Sequence, residues 1–235
     1  MHRFYIKDNI PDKGVFILDN RETSHQILNV LKLKKGERIR FFNGTGFDFD
    51  MVLERISGRF VAGNIVSKIG NFSDPKIIVN LFQSIPKKDK FEWVLEKGTE
   101  LGVKYFHPIL TKRSQKKDIN FIRAQKILKE ATEQSGQDKI PEIGEVIKFE
   151  RATDLVSGKD STNIIFDPSG EPFTAKDTVK YDVNVFVGPE GGFSDEELKS
   201  AKEKGLAVKS LGPRTLKAET AAIAISAIYL TLNRD

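Results

Sequence analysis

The chain has 235 residues, with 38 lysines and arginines against 33 aspartates and glutamates for a formal charge of +5, and is 39% hydrophobic and 30% charged. That is a globular composition, long enough for one large or two unequal domains. It contains no cysteine, which excludes disulfides, thiolate zinc sites, iron–sulfur clusters and a cysteine nucleophile. The three histidines, His2, His25 and His107, lack ligand spacing, so no metal is expected. Neither a secretory signal nor a membrane span is expected: residues 1–14 carry charges, and the apolar stretch Ala221 to Leu230 is too short to cross a bilayer. The expected location is the cytoplasm.

The first 70 residues read as short strands. Phe4 to Ile6, Val15 to Leu18, Arg38 to Phe42, Phe47 to Arg55 and Phe60 to Val66 are rich in β-branched and aromatic residues, and Phe47, Phe49, Met51 and Leu53 alternate at period 2. Asn43-Gly44 signals a hairpin turn. One helix interrupts the strands, with Ile27, Leu28, Val30 and Leu31 as its apolar stripe and Asn20 or Thr23 as its cap. Residues 1–70 are therefore expected to form a small β-barrel, and 71–76 a polar linker.

From residue 77 to 235, strand-length apolar runs alternate with helical periods. Ile77 to Phe82 precedes a helix from Asp89 to Leu101 stopped by Gly102; Val103 to Leu110 precedes a helix from Asp118 to Ser135 stopped by Gly136. Asn163 to Phe166, Asn184 to Val187 and Ala207 to Leu211 are further strands. Alternating βα units predict an α/β domain with a mostly parallel sheet covered on both faces. Residues 104–130 hold eight lysines and arginines against Asp118 and Glu130, a basic stretch of the kind a polyanion requires.

Two strand-to-helix loops carry glycine, proline and charge together. The first is Gly188-Pro189-Glu190-Gly191-Gly192-Phe193, followed by Ser194 and Glu197 at capping-box spacing; the second runs from Leu211-Gly212-Pro213-Arg214 to Glu219-Thr220. Neither matches a phosphate-loop pattern. Asp195, Glu196 and Glu197 occupy the positive end of the next helix, which disfavours a phosphate there. Ligands of parallel sheets lie at the carboxyl ends of the strands, so a ligand held by backbone and lacking phosphates is expected.

With Ser24-His25-Gln26-Ile27-Leu28-Asn29-Val30-Leu31-Lys32-Leu33, Glu100-Leu101-Gly102-Val103, His107-Pro108 and Glu133-Gln134-Ser135-Gly136, these loops give nearly the whole chain a resemblance to a known family. The chain resembles the RsmE family of small-subunit ribosomal RNA uridine-N3 methyltransferases, in the SPOUT class. Lys32 and Lys217 stand where that family's pattern has arginine, and Thr215 where it has an aliphatic residue.

The resemblance implies a PUA-like β-barrel before a SPOUT-type domain with a C-terminal trefoil knot, and a homodimer. It implies S-adenosyl-L-methionine as cofactor and 16S ribosomal RNA, free or in the assembled small subunit, as partner. The expected cofactor contacts are Gly188, Pro189, Glu190, Gly191, Gly192, Leu211, Gly212 and Leu216. Arg214 is the expected charge-stabilising residue, with Glu190 or Glu219 as proton acceptor or orienter. Arg3, Lys32, Lys87, Lys112 and Arg113 are the expected RNA contacts. Absence of cysteine suits attack by uridine N3, which needs no covalent enzyme nucleophile. The alternative is a noncatalytic RNA-binding or ribosome-assembly protein relying on the barrel and the basic stretch.

Overall fold

Period-2 patterning in the first 70 residues yields a five-stranded sheet of β1 (His2–Tyr5), β2 (Gly14–Asp19), β3 (Arg38–Phe42), β4 (Phe47–Ile56) and β5 (Phe60–Gly70), ordered β1-β3-β4-β5-β2. In the computed structural model, which describes residues 1–87, 89–178 and 181–232, β1 runs parallel to β3 and the remaining pairs are antiparallel. Phe49, Met51 and Leu53 point from β4 into a core shared with Phe4, Ile39, Phe41 and Val61. Two register shifts along β4 and β5 are the kind of irregularity that bends a sheet around such a core. The Asn43-Gly44 turn joins β3 to β4, with Gly44 and Gly46 both at positive φ.

Asn20 caps α1 (Arg21–His25), its Oδ1 accepting from the Thr23 amide at 3.0 Å. Residues 26–30 then widen into a π-type turn, in which the Leu31 amide donates to the Gln26 carbonyl. This winding corrects the expected apolar stripe: Ile27 is buried, whereas Leu28 and Val30 are 36% and 62% exposed.

Two compact units emerge: residues 1–74 with 132–140, and 75–131 with 141–235. The polar stretch after β5 is tied into the first unit. Asn71 Nδ2 donates to the Gly136 carbonyl, and the Asp138 amide donates to Asp74. Asp138 in turn accepts from the Gly46 amide at 2.9 Å. Burial, only partly offset by that bond, raises the Asp138 carboxyl above its ordinary value.

The second unit is built on β6 (Ile78–Ser84), β7 (Tyr105–Leu110), β8 (Glu142–Ile143), β9 (Ile147–Lys148), β10 (Thr162–Pro172), β11 (Asp182–Val187) and β12 (Ala207–Ser210). The order is β12-β10-β11-β6-β7-β8, with β9 also on β7, and every pairing is parallel. Its helices are α2 (Lys90–Leu101), α3 (Phe121–Ser135), α4 (Phe149–Val156), α5 (Asp195–Glu203) and α6 (Ala218–Leu232). Of α3, residues 121–131 fall in this unit and 132–135 in the first.

Gly102, at φ +108, ends α2 as its pattern predicts. Helix α3 starts three residues later than the sequence suggests, because Asn120 Oδ1 accepts from the Arg123 amide and so acts as the cap. Helix α4 and the two-residue strands β8 and β9 lie outside the sequence reading. No side chain caps α4, and two residues show no periodicity.

One sheet face packs Phe82, Ile165 and Phe186 against Phe149, Ala152 and Val156 of α4 and Ala201 of α5. Helix α6 covers β6 and β11 and packs on α2. Register aligns Phe186, Phe82 and His107 on three neighbouring strands, and their rings stack at 4.3 Å across each step. Burial lowers the His107 pKa, so its imidazole serves as a neutral ring in this stack.

Candidate functional site

β10, β11 and β12 lie side by side, and the loops leaving β11 and β12 enclose, with the register break in β10 after Phe166, a cleft of about 260 Å³. Gly188, Pro189, Glu190 and Gly192 line it from the β11 loop; Leu211, Gly212, Arg214 and Leu216 line it from the β12 loop. These are eight of the sequence-predicted site residues. Val187, Leu211 and Leu216 provide apolar wall, while Asp167, Glu190, Arg214 and Lys217 provide charge. Gly192 adopts φ +68, a conformation suited to glycine.

Ser194 caps α5 through the predicted capping box: the Glu197 amide donates to its Oγ and the Ser194 amide donates to Glu197 Oε2. The other Glu197 oxygen accepts from the Lys112 amide at 2.8 Å. The buried carboxylate thus clamps the Gly188–Gly192 loop to the segment after β7.

Gly191 does not line the cleft. A Cβ there would meet the Arg113 side chain at 3.4 Å, and its carbonyl accepts from Arg113 Nη1 at 2.7 Å. Arg113, expected at RNA phosphates, is exposed and also braces the glycine loop through Nη1, and Lys112 makes an exposed pair with Glu196. Arg3 departs further from its expected role. Its side chain is 8% exposed, pairs with Asp48 at 2.8 Å, donates to the Thr132 carbonyl and lies 3.4 Å over the Phe42 ring. A guanidinium so enclosed supports the first unit and is unavailable to phosphate. Lys32 and Lys87 are exposed, and Lys32, at φ +55, is the one non-glycine residue at positive φ among the described residues.

Glu190 lies on the cleft wall, where its Oε1 accepts from the Lys87 amide at 3.1 Å. Burial pushes its carboxyl up, but backbone hydrogen bonds and the charges of Lys90 and Lys87 outweigh this and hold it below its ordinary value. Glu219, the other carboxylate candidate, is not on the wall; it pairs with Lys90 at 3.2 Å. Arg214 is exposed, with no hydrogen-bond or ion-pair partner among the described residues.

Sequence reasoning missed Asp167-Pro168, where β10 breaks register between Phe166 and Glu171, because β10 reads as ending at Phe166. It also missed Lys90, whose neighbours are distant in the chain. Asp-Pro-Ser-Gly after an apolar run is the signal that marks this break in the strand. Among the described residues no three histidine, aspartate or glutamate side chains converge to hold a metal, and no helix is long and apolar enough to cross a membrane.

A parallel sheet with a loop-built cleft, after a small β domain, defines the class. Residues 73–230 match the RNA methyltransferase domain family and residues 18–66 the PUA domain of RNA methyltransferases, so the chain belongs to the RNA methyltransferases. Within them it belongs to the ribosomal RNA small subunit methyltransferase E family. It is 30% identical to that protein from Bacillus subtilis, over 97% of this chain and 96% of the relative, and 31% identical to the Aquifex aeolicus protein, over 98% and 99%. The crystal structure of the Neisseria gonorrhoeae family member bound to S-adenosyl methionine superposes with TM-score 0.89 at 28% identity, covering 99% and 98% of the two chains. A putative methyltransferase from Legionella pneumophila, solved with the same cofactor, gives 0.87 at 29% identity, covering 97% and 96%.

Proposed function

We infer that this chain methylates N3 of a uridine in 16S ribosomal RNA, using S-adenosylmethionine held in the cleft between the β11 and β12 loops and the register break of β10. The cleft carries this reading. Its apolar wall suits adenine, Asp167 and Glu190 suit a cationic sulfonium, and two similar proteins have been solved with this cofactor. When bound, the cofactor supplies an electrophilic methyl group and leaves as S-adenosylhomocysteine.

The chain's own residues must orient the base and manage its proton. Arg214, unpaired at the cleft, donates to a uracil carbonyl oxygen as negative charge develops on the imide. Glu190, held ionised, accepts a hydrogen bond from N3–H and relays that proton to solvent, to which it is 32% exposed. Lys32 and Lys87, both exposed, serve as RNA contacts. The same reading carries a C-terminal trefoil knot, a homodimer, and the cytoplasmic location of its substrate.

The test is calorimetric titration with S-adenosylmethionine, followed by methyl transfer to 16S ribosomal RNA with the modified base identified by mass spectrometry. Binding with 3-methyluridine as product supports the reading. RNA binding without cofactor binding supports the noncatalytic alternative.

A further inference from the structure

Two carboxylates from separate loops converge on one lysine beside the cleft. Lys90, the first residue of α2, places its Nζ 3.2 Å from Glu219 Oε1 and 3.8 Å from Glu190 Oε1. Glu219 belongs to the first turn of α6, and its side chain is 13% exposed, with Oε2 buried and without a partner. Lys90 is absent from the cleft wall, whereas Glu190 forms part of it. The charged groups around Glu190 are Lys87 from the β6–α2 connection, Lys90 at the start of α2 and Glu219 beyond Lys90; Asp167, Arg214 and Lys217 belong to the same cleft.

We propose that Lys90 is a positioning residue for methyl transfer: pairing with both carboxylates, it fixes ionised Glu190 at the cleft wall, where Glu190 accepts the imide hydrogen bond. This rests on the uridine-N3 reading above. Without Lys90, two carboxylates would share a partly buried site with no common counter-charge, and the more exposed Glu190, no longer fixed, would be the first to turn toward solvent. Glu190 is useful only when ionised, and its ionised fraction falls as pH drops through its pKa. Loss of Lys90 raises that pKa, so activity is lost from a higher pH.

Single-turnover methyl transfer at saturating cofactor and RNA, between about pH 5 and pH 8, tests this with Lys90→Met and Lys90→Arg. Relative to wild type, Lys90→Met should lose about twofold more rate at the acid end than at the alkaline end. Lys90→Arg should restore most of it. A rate ratio independent of pH, or no rescue by arginine, overturns the proposal. Should Lys90→Met fail to fold, the ¹³C carboxyl titration of Glu190 in Lys90→Gln, which keeps a hydrogen-bond donor in place, decides: it moves to higher pH if Lys90 holds the carboxylate, and stays put if it does not. A wild-type protein that transfers no methyl to 16S ribosomal RNA overturns the parent reading, and this one with it.

Discussion

Arg214 and Arg113 illustrate how far residue type predicts residue role. Both are arginines in or beside the glycine-rich loops, yet Arg113 spends its guanidinium on the Gly191 carbonyl while Arg214 keeps its own free at the cleft. Removing Arg214 should therefore affect the chemistry more than the fold. Arg214→Ala is expected to bind S-adenosylmethionine normally and melt as wild type, but to transfer methyl about 100- to 1000-fold more slowly, the cost of one donor to a developing oxyanion. Arg214→Lys should recover little, because a point charge lacks the planar fork. Near-normal single-turnover rates for Arg214→Ala would reject this role.

Arg113→Met should behave differently: cofactor affinity falls about tenfold as the loop loses a charge-assisted bond, while the slope of RNA affinity against salt stays unchanged. A slope reduced by about one would restore Arg113 to the phosphate contacts. Arginine chemistry permits a phosphate contact, a carbonyl brace or a buried stack equally. For this reason the roles of Arg3 and Arg113 were not legible before their surroundings were known.

At the scale of elements, local signals served well wherever the interaction itself is local. Ser194 with Glu197, Gly102 after α2 and the Asn43-Gly44 turn are each decided within a few residues, and all appear where the sequence places them. The misses are of the opposite kind. The π-type turn at 26–30 re-aims Leu28 and Val30 although their spacing is helical. Residues 132–140 join the first unit through hydrogen bonds to Gly46 and Asn71, partners too remote for any periodicity to register.

Asp138 in that segment makes a prediction about pH. Its folded pKa lies above the unfolded one, so between those values the native state binds more protons, and stability falls as pH rises through the window. Asp138→Asn keeps an acceptor for the Gly46 amide and removes the charge. The melting temperature of the variant, measured against wild type, should therefore rise by about 2–4 °C between about pH 4 and pH 7. A difference that stays flat would mean the carboxyl is not destabilised by burial.

For the whole molecule, strand alternation and βα periodicity were enough to specify a small β domain followed by a parallel α/β domain, because both patterns arise from burying one face of each element. Strand order was not available from pattern, and strand order is what makes the site. Placing β10 between β12 and β11 brings two loops and the Asp167-Pro168 break of β10 to one cleft, and the packing of α2 on α6 brings Lys90 to Glu219. The most direct test of the account is single-turnover transfer from methyl-labelled S-adenosylmethionine to 16S ribosomal RNA, with the modified atom mapped by mass spectrometry. The account predicts one labelled uridine, methylated at N3, with wild-type protein, and almost none with Arg214→Ala at equal cofactor occupancy. Label at a carbon or a ribose oxygen, or equal labelling by the variant, would contradict it.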